Sequence, residues 1–251
     1  IVAADFNRDG RLDLAYMEGA STQNSRSAAL KIALADGPGT FDAPTTVDVP
    51  FDLYEIHIGD FNGDAAPDIV LAGGLLGATT VRLVANRGDG TFLAPVTIHT
   101  GSGSATFQGV LAIDDLDGDG NLDIAARING ASLDILYGNG DGSFLTPLSV
   151  ISTRNVAMGD FDRDGKIDIA TVEQNRSGGT DPGRVRVFRN QGDRSFLSGG
   201  AFEGVVSPAS LLVRDFDRDG INDILAWGSA GFSVLPGLGD GTFASAVRYD
   251  A

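Results

Sequence analysis

The sequence predicts an all-β fold built from five repeated units, and three observations lead to this prediction. First, a nine-residue pattern rich in aspartate occurs five times, and its copies begin 55, 55, 45 and 55 residues apart. Second, a glycine-rich turn that contains aspartate and ends in phenylalanine follows each copy about 30 residues later. Third, the apolar runs beside these markers have the length of strands. A repeat period of this size is typical of β-propeller blades or of arrays.

The aspartate-rich pattern has the form Asp-x-Asp/Asn-x-Asp-x-x-x-Asp, which suits the binding of a hard cation. Ca²⁺ takes about six to eight oxygen ligands from a tightly wound loop. A backbone carbonyl at position 7 would complete the set, which agrees with the free variation of the side chain there. The predicted ligands are Asp5, Asn7, Asp9, Arg11 and Asp13 in the first loop, Asp60, Asn62, Asp64, Ala66 and Asp68 in the second, Asp115, Asp117, Asp119, Asn121 and Asp123 in the third, Asp160, Asp162, Asp164, Lys166 and Asp168 in the fourth, and Asp215, Asp217, Asp219, Ile221 and Asp223 in the fifth.

Position 6 of the pattern is glycine in four copies and Ala65 in the second. We expect positive φ at this position, because the loop must turn sharply there. Left-handed geometry costs an L-residue roughly 1–2 kcal/mol, so we expect the loop at 60–68 to be the weakest of up to five calcium sites. An EF-hand is excluded, since the pattern has no Glu at position 12 and the flanking runs have strand length.

The simpler interpretation of such a pattern is an ordinary turn, because Asp, Asn and Gly are all frequent in turns. One copy would fit that interpretation. Five copies at similar spacing do not, since each places three or four carboxylates within nine residues, and their repulsion would oppose folding without a cation.

The net charge of the chain is −16, and the five loops account for this excess. They hold 18 carboxylates, so the remaining surface has an ordinary balance of charge. A basic face is missing, which argues against nucleic acid as a partner. The chain has no cysteine and only two histidines, so thiolate and histidine metal sites are not expected. No apolar run approaches the roughly 20 residues of a membrane span. The chain does not begin with Met, and we expect a mature or trimmed form of a secreted protein.

Each repeat is expected to form four strands. In the second repeat these are predicted at about 54–59, 68–73, 80–85 and 95–99, with a hairpin turn before the last. An apolar residue recurs after the first Asp of each loop, and a phenylalanine follows each turn. Recurrent apolar positions predict packing between adjacent repeats. The loop positions are Phe6, Phe61, Leu116, Phe161 and Phe216, and the turn positions are Phe41, Phe92, Phe144, Phe196 and Phe243.

The calcium pattern and the glycine-rich turn together resemble the FG-GAP/VCBS repeats of integrin-α-like β-propellers, over essentially the whole chain. The resemblance implies four-stranded antiparallel blades, with Ca²⁺ bound in the loop between the first and second strands of each. We expect a single β-propeller domain over 1–251, with blades at about 1–50, 51–105, 106–152, 153–207 and 208–251. Two alternatives remain open, a five-bladed ring and five blades of a larger, seven-bladed type of propeller.

Recognition is expected on the face opposite the calcium loops, where the connections vary most. Long connections are predicted at 21–28, 73–79 and 174–183 and between repeats at 100–109 and 203–210, whereas 129–132 and 228–231 are short. Variable loops on a rigid repeated scaffold commonly carry binding. We therefore predict an extracellular, calcium-stabilised recognition or adhesion module that binds carbohydrate or a protein partner. Trp227 and Tyr54 are the aromatic candidates for stacking on a sugar, although single aromatic residues in strands belong more often to the core.

The alternative function is the propeller portion of a secreted polysaccharide-active lyase or hydrolase. No paired acid and base and no nucleophile motif can be recognised, and we name no catalytic residue. The carboxylates outside the calcium loops that this alternative would use are Glu18, Asp52, Glu55, Asp134, Glu173, Asp181 and Glu203.

Overall fold

The structure is a computed structural model that describes residues 1–19, 28–49, 52–75, 78–101, 111–127, 132–152, 155–173, 183–205, 208–228 and 231–250. These residues form strands and loops without a helix, as the sequence predicts. The strands are β1 (Val2–Ala4), β2 (Asp13–Gly19), β3 (Ala28–Ala33), β4 (Ala35–Gly37), β5 (Thr40–Phe41), β6 (Thr45–Val49), β7 (Asp52–Gly59), β8 (Asp68–Leu75), β9 (Ala78–Val84), β10 (Val96–Thr100), β11 (Leu111–Asp114), β12 (Asp123–Arg127), β13 (Ser132–Leu136), β14 (Leu148–Ser152), β15 (Val156–Gly159), β16 (Asp168–Glu173), β17 (Gly183–Asn190), β18 (Phe196–Val205), β19 (Pro208–Arg214), β20 (Asp223–Gly228), β21 (Gly231–Leu235) and β22 (Val247–Asp250).

The strands assemble into five four-stranded sheets and one short hairpin, β4–β5. The sheets have the orders β1-β2-β3-β6, β7-β8-β9-β10, β11-β12-β13-β14, β15-β16-β17-β18 and β19-β20-β21-β22. Consecutive strands are therefore neighbours, and the pairings with a described register are antiparallel. The four strands predicted for the second repeat are confirmed as β7 to β10, to within about two residues at most ends. None of the described residues belongs to a helix that could span a membrane.

The chain divides into two compact units, one of residues 1–113 and 121–149 and the other of residues 114–120 and 150–251. In the first unit a single strand, β8, contributes to two cores because its side chains alternate between the two faces of its sheet. Ile69 and Leu71 pack in one cluster with Ile32 of β3. Val70 packs in another cluster with Ile124 of β12. Each face of this sheet is thus apolar, and β8 is an almost continuous apolar run.

The second unit repeats the same arrangement between its two complete sheets. Val172 and Val187 of the sheet β15–β18 pack against Leu211, Ile224 and Leu235 of the sheet β19–β22. These five side chains are 7% exposed or less. The contact between these two sheets is therefore formed by apolar residues of β16 and β20, the strands that begin at position 9 of a loop, and of their neighbours β17, β19 and β21.

The recurrent phenylalanines pack in pairs, which confirms their predicted role between adjacent repeats. Phe6 contacts Phe92 with ring centroids 5.5 Å apart, and Phe161 contacts Phe243 at 5.4 Å. Phe61 lies 6.1 Å from Phe144. In each pair the first ring belongs to a calcium loop and the second to the turn of the next repeat. In the first, second and fourth repeats, the loop phenylalanine is thus covered by the turn of the next repeat.

A backbone hydrogen bond accompanies each of these ring pairs. The third residue of the turn donates its N–H to the carbonyl oxygen of the loop phenylalanine, over distances of 2.9–3.0 Å. These bonds join Gly90 to Phe6, Gly142 to Phe61 and Gly241 to Phe161. Phe41 and Phe216, at equivalent positions in the first turn and the last loop, are 41% and 39% exposed.

Most of the predicted variable connections lie outside the described residues. This is the case for 21–27, 76–77, 102–110, 128–131, 174–182, 206–207 and 229–230. The blade boundaries, the single-domain organisation and the number of blades in the complete propeller stay predictions.

Candidate metal centres

All five loops share one backbone conformation with two left-handed residues. Position 6 has φ between 65° and 87° in every copy, which confirms the turn predicted there. Position 4 is also left-handed, with φ between 61° and 78°, and the sequence pattern did not indicate this. The position 6 residues are Gly10, Ala65, Gly120, Gly165 and Gly220, and the position 4 residues are Arg8, Gly63, Gly118, Arg163 and Arg218.

Backbone strain does not single out the second loop. Ala65 is left-handed, as expected, but the first, fourth and fifth loops each place an arginine in the same conformation at position 4. Each of these four loops therefore has one strained L-residue, with a cost of roughly 1–2 kcal/mol. The third loop has glycine at both positions. The strain at Ala65 is thus no reason to rank the loop at 60–68 below the others.

The first carboxylate of each loop accepts hydrogen bonds from the loop backbone. In the fourth copy, Asp160 Oδ1 accepts the N–H of Arg163 at 2.6 Å, and its Oδ2 accepts the N–H of Gly165 at 3.0 Å. Asp60 is held in the same way by Gly63 and Ala65, both at 2.8 Å. These donors hold the carboxylate in place before any cation binds, and each oxygen keeps a lone pair for a ligand bond.

The ninth residue of each loop is a buried aspartate that connects three parts of its repeat. Asp168 Oδ2 accepts the N–H of Phe161, in the loop, at 3.0 Å, and its Oδ1 accepts the N–H of Asn190, at the end of the third strand, at 2.8 Å. All five copies are 2% exposed or less. Their described Oδ1 donors are the N–H groups of Ala35, Asn86, Gly138, Asn190 and Gly237. This second role of position 9 was not predicted.

The carboxylates of the fourth and fifth loops converge. Oxygens of Asp160, Asp162 and Asp168 lie within 4.8 Å of one another, and the equivalent three aspartates of the fifth loop do the same. The first two loops have an amide at position 3; Asn62, for example, accepts the N–H of Asp64 at 3.0 Å. In the third loop, residues 115–119 belong to the second unit and Asp123 to the first.

Without a cation, the ionised form of the buried aspartates in these loops is unfavourable. Burial raises the pKa of Asp168 to about 6, and repulsion from Asp162 and Asp164 adds to this, although two backbone N–H donors oppose the shift. Burial likewise raises the pKa of Asp68 to about 6. A buried carboxylate in an all-oxygen cluster is stabilised by a hard cation. The described residues of these loops therefore fit calcium, and the carbonyl ligand at position 7 stays a prediction.

The raised pKa values predict an unusual pH dependence for the metal-free protein. Between about pH 4 and pH 6 the folded state binds more protons at Asp68 and Asp168 than the unfolded state does, so stability is lost as the pH rises through this window. We expect the melting temperature of decalcified protein to fall from pH 4.5 to pH 7, and that of calcium-saturated protein to rise, because calcium needs ionised ligands. Thermal melts in matched buffers measure this, and parallel slopes in the two series would contradict it.

A buried polar network lies outside the calcium loops, around Asp134 of β13. Its Oδ1 accepts a hydrogen bond from Ser149 Oγ at 2.6 Å, and its Oδ2 lies 3.1 Å from His99 Nε2. Asp134 is 2% exposed. The carboxylate lies between the other two groups, whereas activation of a serine requires the histidine beside it. The network therefore joins β10, β13 and β14 and does not form a nucleophile.

The other carboxylates of the enzyme alternative are distributed over several strands. Glu18 pairs with Lys31 at 3.2 Å, and Glu55 lies 3.7 Å from His57. Glu203 is exposed on β18. The side chains of Asp52, Glu173 and Tyr54 and the whole of Asp181 lie outside what the structure describes.

Three aromatic side chains form a row across the last sheet. Trp227 of β20 is the cross-strand partner of Phe232 of β21, which in turn is the partner of Tyr249 of β22. They are 40%, 41% and 48% exposed, and the last two rings are stacked with centroids 4.7 Å apart. Because β20 begins at Asp223 of the calcium loop and ends at Gly228, the row lies at the end of the sheet away from that loop.

The FG-GAP-like repeat family model matches this chain over residues 5–71, 60–126 and 115–171. Each match begins at the first Asp of one calcium loop and ends just beyond the next loop, and together they cover most of the chain. The protein therefore belongs to the FG-GAP repeat family, as predicted. No curated protein matches the chain.

A solved structure with a similar fold is known. It is the structure of a lectin of Agrocybe aegerita that specifically recognises non-reducing terminal N-acetylglucosamine. The similarity has a TM-score of 0.61 at 20% sequence identity and covers 94% of this chain. Our chain spans 65% of the length of that lectin chain. At this identity the similarity concerns the fold alone, and it agrees with a propeller-like fold.

Proposed function

We propose that the protein is a non-catalytic, calcium-stabilised recognition module that acts outside the cell and binds glycans. The observation that carries the proposal is the common geometry of the five aspartate loops. Each has the same two left-handed residues and a buried aspartate at its ninth position. Loops of this kind suit a bound cation rather than a substrate, so we propose that their role is to stabilise the fold.

Calcium would neutralise each loop and fix the connection between the first two strands of its repeat. Weak sites are sufficient for this in an extracellular module, where Kd values of about 10⁻⁴–10⁻³ M match the ambient calcium concentration. Binding to the folded state alone stabilises it by mass action. The number of loops and the high calcium concentration that they would use are our reasons for proposing an extracellular location.

The aromatic row of Trp227, Phe232 and Tyr249 supports the glycan part of the proposal. Exposed aromatic rings can contact the apolar face of a sugar while polar groups remain in water. The row lies at the end of its sheet away from the calcium loop, where the sequence predicts recognition. Membership in the FG-GAP family and the fold similarity to a lectin agree with this choice of ligand.

The test is binding to an array of glycans, including glycans that end in non-reducing N-acetylglucosamine, in calcium buffer. We expect at least one class of glycan to bind, and Trp227→Ala to lower its affinity about tenfold, the loss that removal of one aromatic contact typically causes. Phe41→Ala is the matched control, since Phe41 is 41% exposed but lies in the first turn.

The outcomes separate the alternatives. Absence of binding to any glycan, or equal binding by wild type and Trp227→Ala, would contradict the glycan assignment and favour a protein partner. Release of reducing ends from a bound polysaccharide would instead support the lyase or hydrolase alternative.

A further inference from the structure

Position 3 of the calcium loops is either a neutral amide or an aspartate close to an arginine in four copies out of five. Asn7 and Asn62 are neutral amides. Asp117 pairs with Arg194, whose Nε lies 2.7 Å from its Oδ2, and Asp162 lies 3.9 Å from Arg189 Nη1. Asp217 of the fifth loop has no lysine or arginine partner among the residues that the structure describes.

The partner of Asp117 occupies a position where arginine is unfavourable. Arg194 is the third residue of the fourth turn and has φ of 65°, whereas Gly90, Gly142 and Gly241 occupy the equivalent positions with φ of 80–81°. A non-glycine residue in this conformation costs roughly 1–2 kcal/mol. The fourth turn therefore has a strained arginine where the other three turns have an unstrained glycine. This arginine contacts Asp117.

The direction of the side chain at the third position of the turn explains the contact between Arg194 and Asp117. A Cβ atom built on Gly90 or Gly241 would lie 2.7 Å from a side chain of the preceding repeat, so this position faces the neighbouring calcium loop. In the fourth turn the same direction brings the Arg194 guanidinium to Asp117, which is only 5% exposed. Asp117 Oδ1 also accepts the N–H of Asp119 at 3.2 Å. Both oxygens of this predicted ligand therefore have a protein donor.

We propose that Arg194 is an internal counter-ion that lowers the calcium affinity of the third loop, in place of the amide that the first two loops have at position 3. A guanidinium beside Asp117 repels a divalent cation and competes for one ligand oxygen. Asp217 of the fifth loop has no such counter-ion in the described part of the chain, so this loop then has the highest calcium affinity of the five. The inference rests on the calcium part of the proposed function.

The test follows each loop separately during a calcium titration by ¹H–¹⁵N NMR. The amide at position 6 donates to the first aspartate of its own loop in every copy, so it reports on that loop. We expect Arg194→Gly to lower the calcium midpoint at the Gly120 amide about tenfold, the size of a screened charge repulsion at close range. The midpoints at the other four reporters should stay within twofold.

Two further variants separate charge from orientation. Arg194→Lys keeps the charge, and we expect its midpoint to stay within about twofold of the wild type. Arg194→Gly combined with Asp117→Asn recreates the neutral position 3 of the first two loops, and we expect the midpoint to return toward the wild-type value.

The results are distinguishable. An unchanged or higher midpoint at Gly120 in Arg194→Gly would overturn the inference, since it would mean that Arg194 only orients Asp117 or has no effect. If no reporter responds to calcium in the wild type, the calcium part of the proposed function fails instead.

Discussion

Phe161→Ala is expected to lower the free energy of unfolding by about 3–5 kcal/mol, the range for truncating a large buried aromatic side chain. Phe161 is 1% exposed and packs edge to face on Phe243. Its carbonyl oxygen also receives the N–H of Gly241, so a cavity here would loosen the contact between loop and turn. Urea unfolding in calcium buffer, followed by tryptophan fluorescence, measures the change.

The chain contains a matched control for this substitution. Phe216 has the same position in the fifth loop but is 39% exposed. We expect Phe216→Ala to cost less than about 1 kcal/mol, because a half-exposed ring leaves no cavity. Equal losses in the two variants would mean that the ring pair does not stabilise the contact between the two repeats.

Asp168→Ala should have an effect of similar size for a different reason. Its carboxylate is fully buried and accepts the N–H groups of Phe161 and Asn190. Alanine would leave two buried donors unsatisfied, at about 1–3 kcal/mol each, and would remove a predicted calcium ligand. We expect a total loss of about 3–5 kcal/mol in calcium buffer, with a smaller loss for Asp168→Asn, which keeps one acceptor.

The control for Asp168 lies four residues earlier in the same loop. Asp164 occupies position 5, its side chain is 35% exposed, and it pairs with Lys166. We expect Asp164→Ala to destabilise the calcium-free protein by less than about 1 kcal/mol, because exposed ion pairs contribute little. A loss at Asp168→Ala as small as this, measured in the same calcium-free protein, would contradict the bridging role of position 9.

The repeats, the strands and the clustering of carboxylates in the loops could be predicted because they depend on local spacing. Oxygen ligands at positions 1, 3, 5 and 9 lie within nine residues, and the apolar runs after them alternate within one strand. The expected weakness of the second loop stays a prediction, but the backbone strain on which it was based also occurs in three other loops. Ala65 is visible in the sequence as a departure from glycine, whereas the left-handed arginines at position 4 appear only in the folded backbone.

The features that could not be predicted depend on residues far apart in the chain. Asp168 reaches the N–H of Asn190 across 22 residues, and Arg194 reaches Asp117 across 77. His99 meets Asp134 across 35 residues, between strands of different sheets. A signal for the first of these was present, since position 9 is aspartate in every copy while position 3 varies. Arginine in place of glycine at Arg194 was a signal for the second.

The central claim is that the five loops are structural calcium sites, and a thermal melt with and without calcium tests it most directly. Saturation of one site at about 100 times its Kd adds roughly 2.7 kcal/mol, which raises the melting temperature of a protein of this size by about 5–10 °C. With several sites, we predict that chelation lowers the melting temperature by at least about 10 °C, that millimolar calcium restores it, and that equal magnesium restores less. An identical melting temperature in chelator and in calcium would contradict the account.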